Sequence, residues 1–183
     1  MDPVKSLTAR DWTVADAYEF LPESGIRRHE VIDGELFVSP EATWRHQRRI
    51  FDLAMVLDAA CPSHLRVSGG PINLDIGARR HLEPDLAVKR VEDFDRAESV
   101  PLLVVEVLSP SNWRHDAHRK REVYRELGVP SYWLVDPLES TVTVLDLVDG
   151  DYVETARVGP CDVVEVTNPF PVRIAPDEWP PLD

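Results

Sequence analysis

Cysteine is scarce in this sequence, and long apolar runs are missing. The two cysteines, Cys61 and Cys161, lie far apart, so neither a zinc set nor a disulfide framework is indicated. No stretch reaches the roughly 18 apolar residues that a transmembrane helix needs, and Met1 to Arg10 lacks the apolar segment of a secretory signal. A phosphate-cradling glycine loop and the Gly-x-Ser-x-Gly elbow of serine hydrolases are also absent. We therefore expect a cytoplasmic protein that has no membrane segment.

Positive charge is in short supply as well. The chain has 20 Lys and Arg residues against 33 Asp and Glu residues, a net charge of -13. An acidic surface repels phosphate backbones, which argues against tight nonspecific binding of nucleic acid. The basic residues are clustered, however, in residues 113–125 and at Arg45, Arg48 and Arg49. We expect any nucleic acid to bind across these two segments, although both could also be ordinary solvated helix faces.

The length of the chain predicts one domain. At 183 residues and 43% hydrophobic content, it can bury one ordinary core. We assign residues 1–183 to a single domain, with an N-terminal helix and lead-in over residues 1–25. The proline-rich residues 168–183 are predicted to be an irregular tail.

Apolar periodicity predicts a mixture of helices and strands. Apolar residues have helical spacing at residues 14–21 and 113–127. They also have it in a segment that has His46 in its first turns and ends before Pro62. An Asp33-Gly34 turn predicts a hairpin over residues 29–39. Further strand patterns cover residues 72–76, 82–88, 102–108, 132–135, 141–147 and 152–158. The fold class is therefore α/β or α+β, with additional N-terminal and C-terminal hairpins.

Glu106 interrupts the apolar strand at residues 102–108. Burying a carboxylate is costly unless a cation or hydrogen-bond donors accompany it, so this position needs an explanation. A salt bridge is one explanation. A metal site is the other, because Mg²⁺ is commonly held by one or two carboxylates, and Asp85 opens the preceding strand. The segment between these strands is long enough to let them pair.

Lys120 lies on the stripe of the predicted helix at residues 113–127 that faces the sheet. Its amine could reach the carboxylate pair, orient an attacking water and offset the charge on a phosphate. The alternative is an i, i+4 ion pair with Asp116, worth only about 0.2–0.5 kcal/mol.

These segments together resemble the Uma family of restriction-endonuclease-like proteins, within the PD-(D/E)xK nuclease superfamily. The resemblance runs from Glu30 to Tyr152 and rests on "EVIDGELFVSPEATWRHQRRI", Pro84-Asp85, "LLVVEVLSPSN", "DAHRK" and "YRELGVPSYWLVDP". It implies a central mixed β-sheet flanked by helices, with Asp85 and Glu106 holding Mg²⁺, or Mn²⁺ in its place. It further implies an endonuclease that hydrolyses phosphodiester bonds of nucleic acid, with DNA as the expected substrate, and a homodimer.

One position departs from the superfamily pattern. Its lysine normally follows the acidic residue by two positions, where this chain has Leu108, and Lys120 is the matching candidate on the next helix. Glu35 and His46 are auxiliary candidates for the catalytic site. Two other functions stay open: a noncatalytic nucleic-acid-binding module of the same fold, and a protein-interaction role for the acidic surface and the apolar end at residues 170–182.

Overall fold

The computed structural model describes residues 5–7, 11–20, 28–39, 42–70, 72–109 and 115–180. The α-helices in these ranges are α1 (Val14–Phe20), α2 (Trp44–Ala60) and α3 (Arg121–Glu126). Short 3₁₀ turns occupy Val91–Asp93 and Pro176–Glu178, and a π-helical segment at His115–Lys120 leads directly into α3. No helix in the described part of the chain is long and apolar enough to cross a membrane.

Thirteen strands are described, most of them short. They are β1 (Lys5–Leu7), β2 (Arg28–Ile32), β3 (Glu35–Ser39), β4 (Leu65–Gly69), β5 (Leu74–Ile76), β6 (Arg80–Leu82), β7 (Leu86–Arg90), β8 (Leu103–Val107), β9 (Ser131–Asp136), β10 (Thr141–Val148), β11 (Asp151–Val158), β12 (Val164–Val166) and β13 (Val172–Ile174).

The larger sheet has six strands in the order β11-β10-β9-β8-β7-β4. Its central pair, β8 and β9, is parallel, whereas the other neighbours are antiparallel, so the sheet is mixed. All five residues of β8 are buried, which is typical of a strand covered on both faces. One face packs against Ile50, Leu53 and Leu57 of α2, and the other packs against Tyr124 of α3. The expected central mixed sheet with flanking helices is therefore present.

The smaller sheet has the order β1-β3-β2-β6-β5 and is antiparallel throughout. Its hairpin β2–β3 turns at Asp33 and Gly34, where φ is +52° and +88°. Positive φ at both central residues is what a tight two-residue hairpin requires, and it suits the Asp-Gly sequence. The predicted hairpin is confirmed.

The strand predicted at residues 82–88 is wrong as a single element. Its start belongs to β6 in the smaller sheet and its end to β7 in the larger sheet. Pro84 lies between them, and proline cannot donate a ladder hydrogen bond, which breaks the strand. Asp85 therefore lies where the chain crosses from one sheet to the other.

Two further predictions need correction. The helix predicted at residues 113–127 has π geometry at His115–Lys120 before α3 begins, and its first two residues lie outside the described ranges. The tail predicted to be irregular contains β13, which pairs with β12. Phe170, Ile174 and Trp179 are buried in the core beneath α2, and this burial explains why the described part of the tail, residues 168–180, has a regular strand.

Candidate active site

Two fully buried carboxylates lie at adjoining positions, one in the larger sheet and one immediately before it. Asp85 immediately precedes β7, Glu106 lies in β8, and each is 0% exposed. The antiparallel register pairs Leu86 with Val105, so Asp85 and Glu106 occupy the next position along the two strands. The backbone N–H of Val107 donates to Asp85 Oδ2 at 2.7 Å, which ties the two strands together at this point.

Asp85 is surrounded by positive and hydrogen-bonding groups. Arg28 Nη2 lies 2.6 Å from Asp85 Oδ1, and His46 Nε2 lies 3.3 Å from Oδ2. Burial would raise the pKa of Asp85, but the charge of Arg28, followed by His46 and the Val107 N–H, lowers the pKa to about 2. Asp85 is therefore a carboxylate at neutral pH.

Glu106 accepts two hydrogen bonds through a single oxygen. Lys120 Nζ lies 3.0 Å and Tyr124 Oη 2.8 Å from Glu106 Oε1. Lys120 Nζ also lies 2.8 Å from Glu30 Oε1, and Glu30 accepts the backbone N–H of Glu83 at 2.9 Å. The lysine therefore joins a carboxylate of the smaller sheet to a carboxylate of the larger one.

Lys120 is 1% exposed, at the point where the π-helical segment passes into α3. π-Helical turns are rare and frequently occur at functional sites. The inward orientation predicted for Lys120 is confirmed by its burial. The prediction assumed α-helical spacing, whereas the turn that ends at Lys120 is π-helical.

His46 reaches the site from the first turn of α2. The Thr43 hydroxyl accepts the backbone N–H of His46 at 3.2 Å and caps the helix. His46 is 4% exposed, and its Nδ1 is buried with no hydrogen-bond partner among the described residues. A buried nitrogen of this kind can serve an incoming polar group.

A second polar layer lies behind Arg28. Arg28 Nη2 donates to the Glu83 carbonyl at 2.8 Å, and the Glu83 carboxylate lies 3.6 Å from His81 Nε2. His81 Nδ1 contacts Asp75 at 2.5 Å. Burial lowers the pKa of His81, but its hydrogen bonds to Asp75 and Glu83, and their charges, raise it to about 9. His81 is therefore a cation at neutral pH.

Of the five site residues expected from the sequence, four converge and one stands apart. Asp85, Glu106, Lys120 and His46 form one connected group. The carboxylate of Glu35 instead pairs with Arg119 Nη1 at 2.7 Å and is partly exposed.

Sequence reasoning did not select Arg28, Glu30 or Tyr124. Arg28 and Glu30 alternate along β2 and therefore share a face, and Tyr124 lies one helical turn after Lys120. The alternation of Arg28 and Glu30 before the Asp-Gly turn was the available sequence signal that both face the site. This alternation does not tell whether Glu30 or Glu35 of the same hairpin reaches the site.

Several cations of the two basic segments are paired with acidic residues of the chain. Arg48 and Arg49 both pair with Asp52, at 2.8 and 3.2 Å, and Arg49 is buried. Arg125 pairs with Glu122. Arg45 is exposed and makes no ion pair with any residue that the structure describes.

The donor set suits a hard divalent cation. Within the described ranges, no group of three or more His, Cys, Asp or Glu side chains is arranged to hold a metal ion. Mg²⁺ does not need such a cage, since one or two carboxylates with waters and substrate phosphates commonly suffice. Asp85 and Glu106 offer buried carboxylate oxygens on adjoining strands, and this chemistry fits Mg²⁺ or Mn²⁺.

Comparisons with known proteins agree with this architecture. A crystal structure of "a putative nuclease belonging to DUF820" from Anabaena variabilis is similar, with a TM-score of 0.67 and 23% sequence identity. The match covers 82% of this chain and 87% of that chain, and at this identity it shows a shared fold.

A comparison with curated proteins finds no match. The model of the Uma2 family, described as "Putative restriction endonuclease", matches residues 15–177. That match spans most of the sequence, and the chain therefore belongs to the Uma2 family.

Proposed function

We propose that this protein is a Mg²⁺-dependent endonuclease that hydrolyses phosphodiester bonds of DNA. The observation that carries the proposal is the pair of buried carboxylates, Asp85 and Glu106, with the buried amine of Lys120 at 3.0 Å from Glu106. The family description and the name of the structural neighbour point to the same chemistry. Mn²⁺ is expected to substitute for Mg²⁺.

Asp85 and Glu106 would hold the cation. A divalent cation bound there supplies positive charge that polarises a phosphate oxygen and promotes ionisation of an attacking water. Arg28 and His46 keep Asp85 ionised, and Tyr124 fixes the orientation of the Glu106 carboxylate by its hydrogen bond. The site is thus preorganised by neighbouring side chains before substrate arrives.

Lys120 takes the part that the superfamily gives to a lysine two residues after the acidic residue. Leu108 stands in that position, and its backbone N–H donates to the Val135 carbonyl at 2.7 Å. The amine of Lys120 reaches Glu106 from the helix side instead. There it can position the attacking water and offset the charge that develops on the phosphate.

The test is cleavage of labelled single-stranded, duplex and branched DNA, and of RNA, with Mg²⁺, Mn²⁺ or a chelator. Wild type is compared with Asp85→Asn, Glu106→Gln and Lys120→Met, and with Glu139→Gln as a matched change at an exposed turn. We expect cleavage of DNA only with metal, lowered about 100-fold or more by each site change and unaffected by Glu139→Gln. Glu106→Gln protein that cuts as fast as wild type would contradict the proposal. Light scattering on the same samples tests the expected homodimer.

One observation favours a second candidate, a noncatalytic nucleic-acid-binding module. Arg28 pairs with Asp85, and Lys120 pairs with both Glu106 and Glu30, so each of these buried carboxylates already has a cationic partner within the chain. Metal-independent binding of nucleic acid by wild type, with no cleavage of any substrate in the same assay, would favour this function.

A further inference from the structure

Both oxygens of Asp85 lie close to groups of the chain, but among the described residues Oδ1 has an ion-pair contact and no hydrogen bond. Oδ1 lies 2.6 Å from Arg28 Nη2, while Oδ2 accepts the Val107 N–H and lies 3.3 Å from His46 Nε2. The guanidinium is the only full and permanent charge of these three groups, because arginine does not lose its proton in proteins. A divalent cation at Oδ1 would therefore meet Arg28 first.

Arg28 is also the part of this pair that solvent reaches. Its side chain is 17% exposed, whereas that of Asp85 is 1% exposed. Of the two side chains, only that of Arg28 is therefore in appreciable contact with solvent. A divalent cation at Oδ1 would be repelled by the guanidinium at this distance, so the ion and Arg28 compete for that oxygen.

A second set of partners for Arg28 is already in place. Its Nη2 donates to the Glu83 carbonyl at 2.8 Å, and its Nε lies 3.9 Å from Glu83 Oε2. The Glu83 carboxylate is 15% exposed and lies in the same chain crossing as Asp85. A small side-chain rotation would exchange the Asp85 contact for a direct ion pair with Glu83 and keep the arginine compensated.

We infer that Arg28 is a positioning residue that holds the divalent-cation position at Asp85 in the metal-free protein and shifts to Glu83 when the cation binds. Arg28 thereby sets the metal affinity of the site, in competition with the ion. This inference rests on the proposed function, since it takes Asp85 as a metal ligand. It also accounts for a buried carboxylate, Asp85, that is paired with a cation of the chain and still suited to a metal.

The test measures Mn²⁺ binding by electron paramagnetic resonance on the full chain, without nucleic acid. Wild type is compared with Arg28→Gln, and with Arg157→Gln as a matched loss of one charge on β11, at the far edge of the larger sheet. We expect Arg28→Gln to bind Mn²⁺ about tenfold more tightly, the equivalent of about 1.4 kcal/mol. Arg157→Gln should bind as wild type does. An unchanged or weaker affinity of Arg28→Gln would overturn the inference.

Asp85→Asn separates this inference from the proposed function. If Asp85→Asn binds Mn²⁺ as well as wild type, the metal site itself is assigned wrongly. If Asp85→Asn loses binding but Arg28→Gln gains none, only the role of Arg28 fails.

A measurement on wild type keeps the test independent of how the Arg28→Gln variant folds. The Nε–Hε NMR signal of Arg28 is assigned by its absence in Arg28→Lys and followed during Mg²⁺ addition. We expect this signal to shift while that of Arg157 stays in place. A signal unmoved by saturating Mg²⁺ would overturn the inference as well.

Discussion

Lys120 carries a positive charge into the interior, where Glu30 and Glu106 lie 2.8 and 3.0 Å from its amine. Removing one partner of a buried charge group is strongly destabilising, because the remaining charges lose their compensation. The inward position of Lys120 therefore affects the stability of the fold, apart from the part proposed for it in catalysis.

We expect Lys120→Met to lower the free energy of unfolding by about 3–5 kcal/mol, measured by urea denaturation at pH 7. Adding Glu106→Gln to this variant should recover part of the loss, because the double variant buries one carboxylate fewer. Arg157→Gln is the control and should change little. A double variant less stable than Lys120→Met alone would show that the lysine does not act through charge compensation.

His81 links stability to pH. Its pKa in the folded protein is about 9, above the ordinary value of 6.5, because hydrogen bonds to Asp75 and Glu83 outweigh the effect of burial. A raised pKa gives stability that is complete below about pH 6.5 and is lost as pH rises through about 9. We expect the free energy of unfolding to fall by about 3 kcal/mol more between pH 6 and pH 9.5 in wild type than in His81→Gln.

His64→Gln is the matched control for this measurement, since His64 is exposed. Its pH dependence should follow that of wild type. Equal pH dependence in wild type and His81→Gln would show that His81 is not a cation in the folded protein.

At the residue scale, the sequence identifies charges that break an apolar pattern. Glu106 and Lys120 were found because each interrupts a buried stripe. Glu35 was selected from the sequence and Glu30 was not. The register pairs Glu30 with Phe37 and Ile32 with Glu35, so both glutamates lie on the same face of the hairpin. Only the tertiary placement of Arg119 and Lys120 separates the two glutamates, and no local pattern encodes that placement.

At the scale of elements, two Asp-Gly turns offer a matched comparison. Gly34 and Gly150 both have φ of +88°. A side chain at Gly150 would meet open space, whereas one at Gly34 would collide with Asp11 and the Arg79 guanidinium. The Arg79–Asp11 pair, at 2.6 Å, thus closes over the first turn.

We expect Gly150→Ala to cost about 1 kcal/mol of unfolding free energy, from backbone conformation alone. Gly34→Ala should cost about 1–2 kcal/mol, because displacing the exposed Arg79–Asp11 ion pair adds up to about 1 kcal/mol to the same backbone cost. Thermal and urea unfolding of both variants provide the measurement. Equal losses would mean that Arg79 and Asp11 move aside without cost.

The C-terminal tail is an integral element of the core. Trp179 is 7% exposed, and the guanidinium of Arg49 lies 5.4 Å from its ring centre. We expect Trp179→Ala to lower the free energy of unfolding by about 3 kcal/mol, as removal of a buried aromatic side chain usually does. Val163→Ala, at a 56% exposed position, should change it by less than about 0.5 kcal/mol. A Trp179→Ala variant as stable as Val163→Ala would mean that the tail packs loosely.

Long periodic elements were predictable and short ones were not. The repeat of apolar residues in α2 and the continuous apolar run of β8 are strong signals, because each has to fill one side of a core. The three-residue strand β13 is too short to show a period within a proline-rich segment. The π-helical geometry before α3 was also beyond reach, since it depends on packing against the sheets.

At the scale of the whole molecule, the site lies where the two sheets meet. Arg28 and Glu30 come from the smaller sheet, Glu106 from the larger one, and Asp85 from the crossing between them. A ligand that binds only when these parts are assembled stabilises the folded chain by mass action. The net charge of -13 adds a general attraction for cations, which has to be separated from binding at the site.

We therefore expect Mg²⁺ at 100 times its dissociation constant to raise the free energy of unfolding of wild type by about 2.7 kcal/mol over NaCl of equal ionic strength. Asp85→Asn and Glu106→Gln should lose this specific gain, whereas Glu139→Gln, which removes the same charge from an exposed turn, should keep it. Removal of the metal by a chelator should return wild type to its stability in NaCl. An equal gain in all four proteins would assign the effect to the acidic surface as a whole, because only binding between the two strands depends on Asp85 and Glu106.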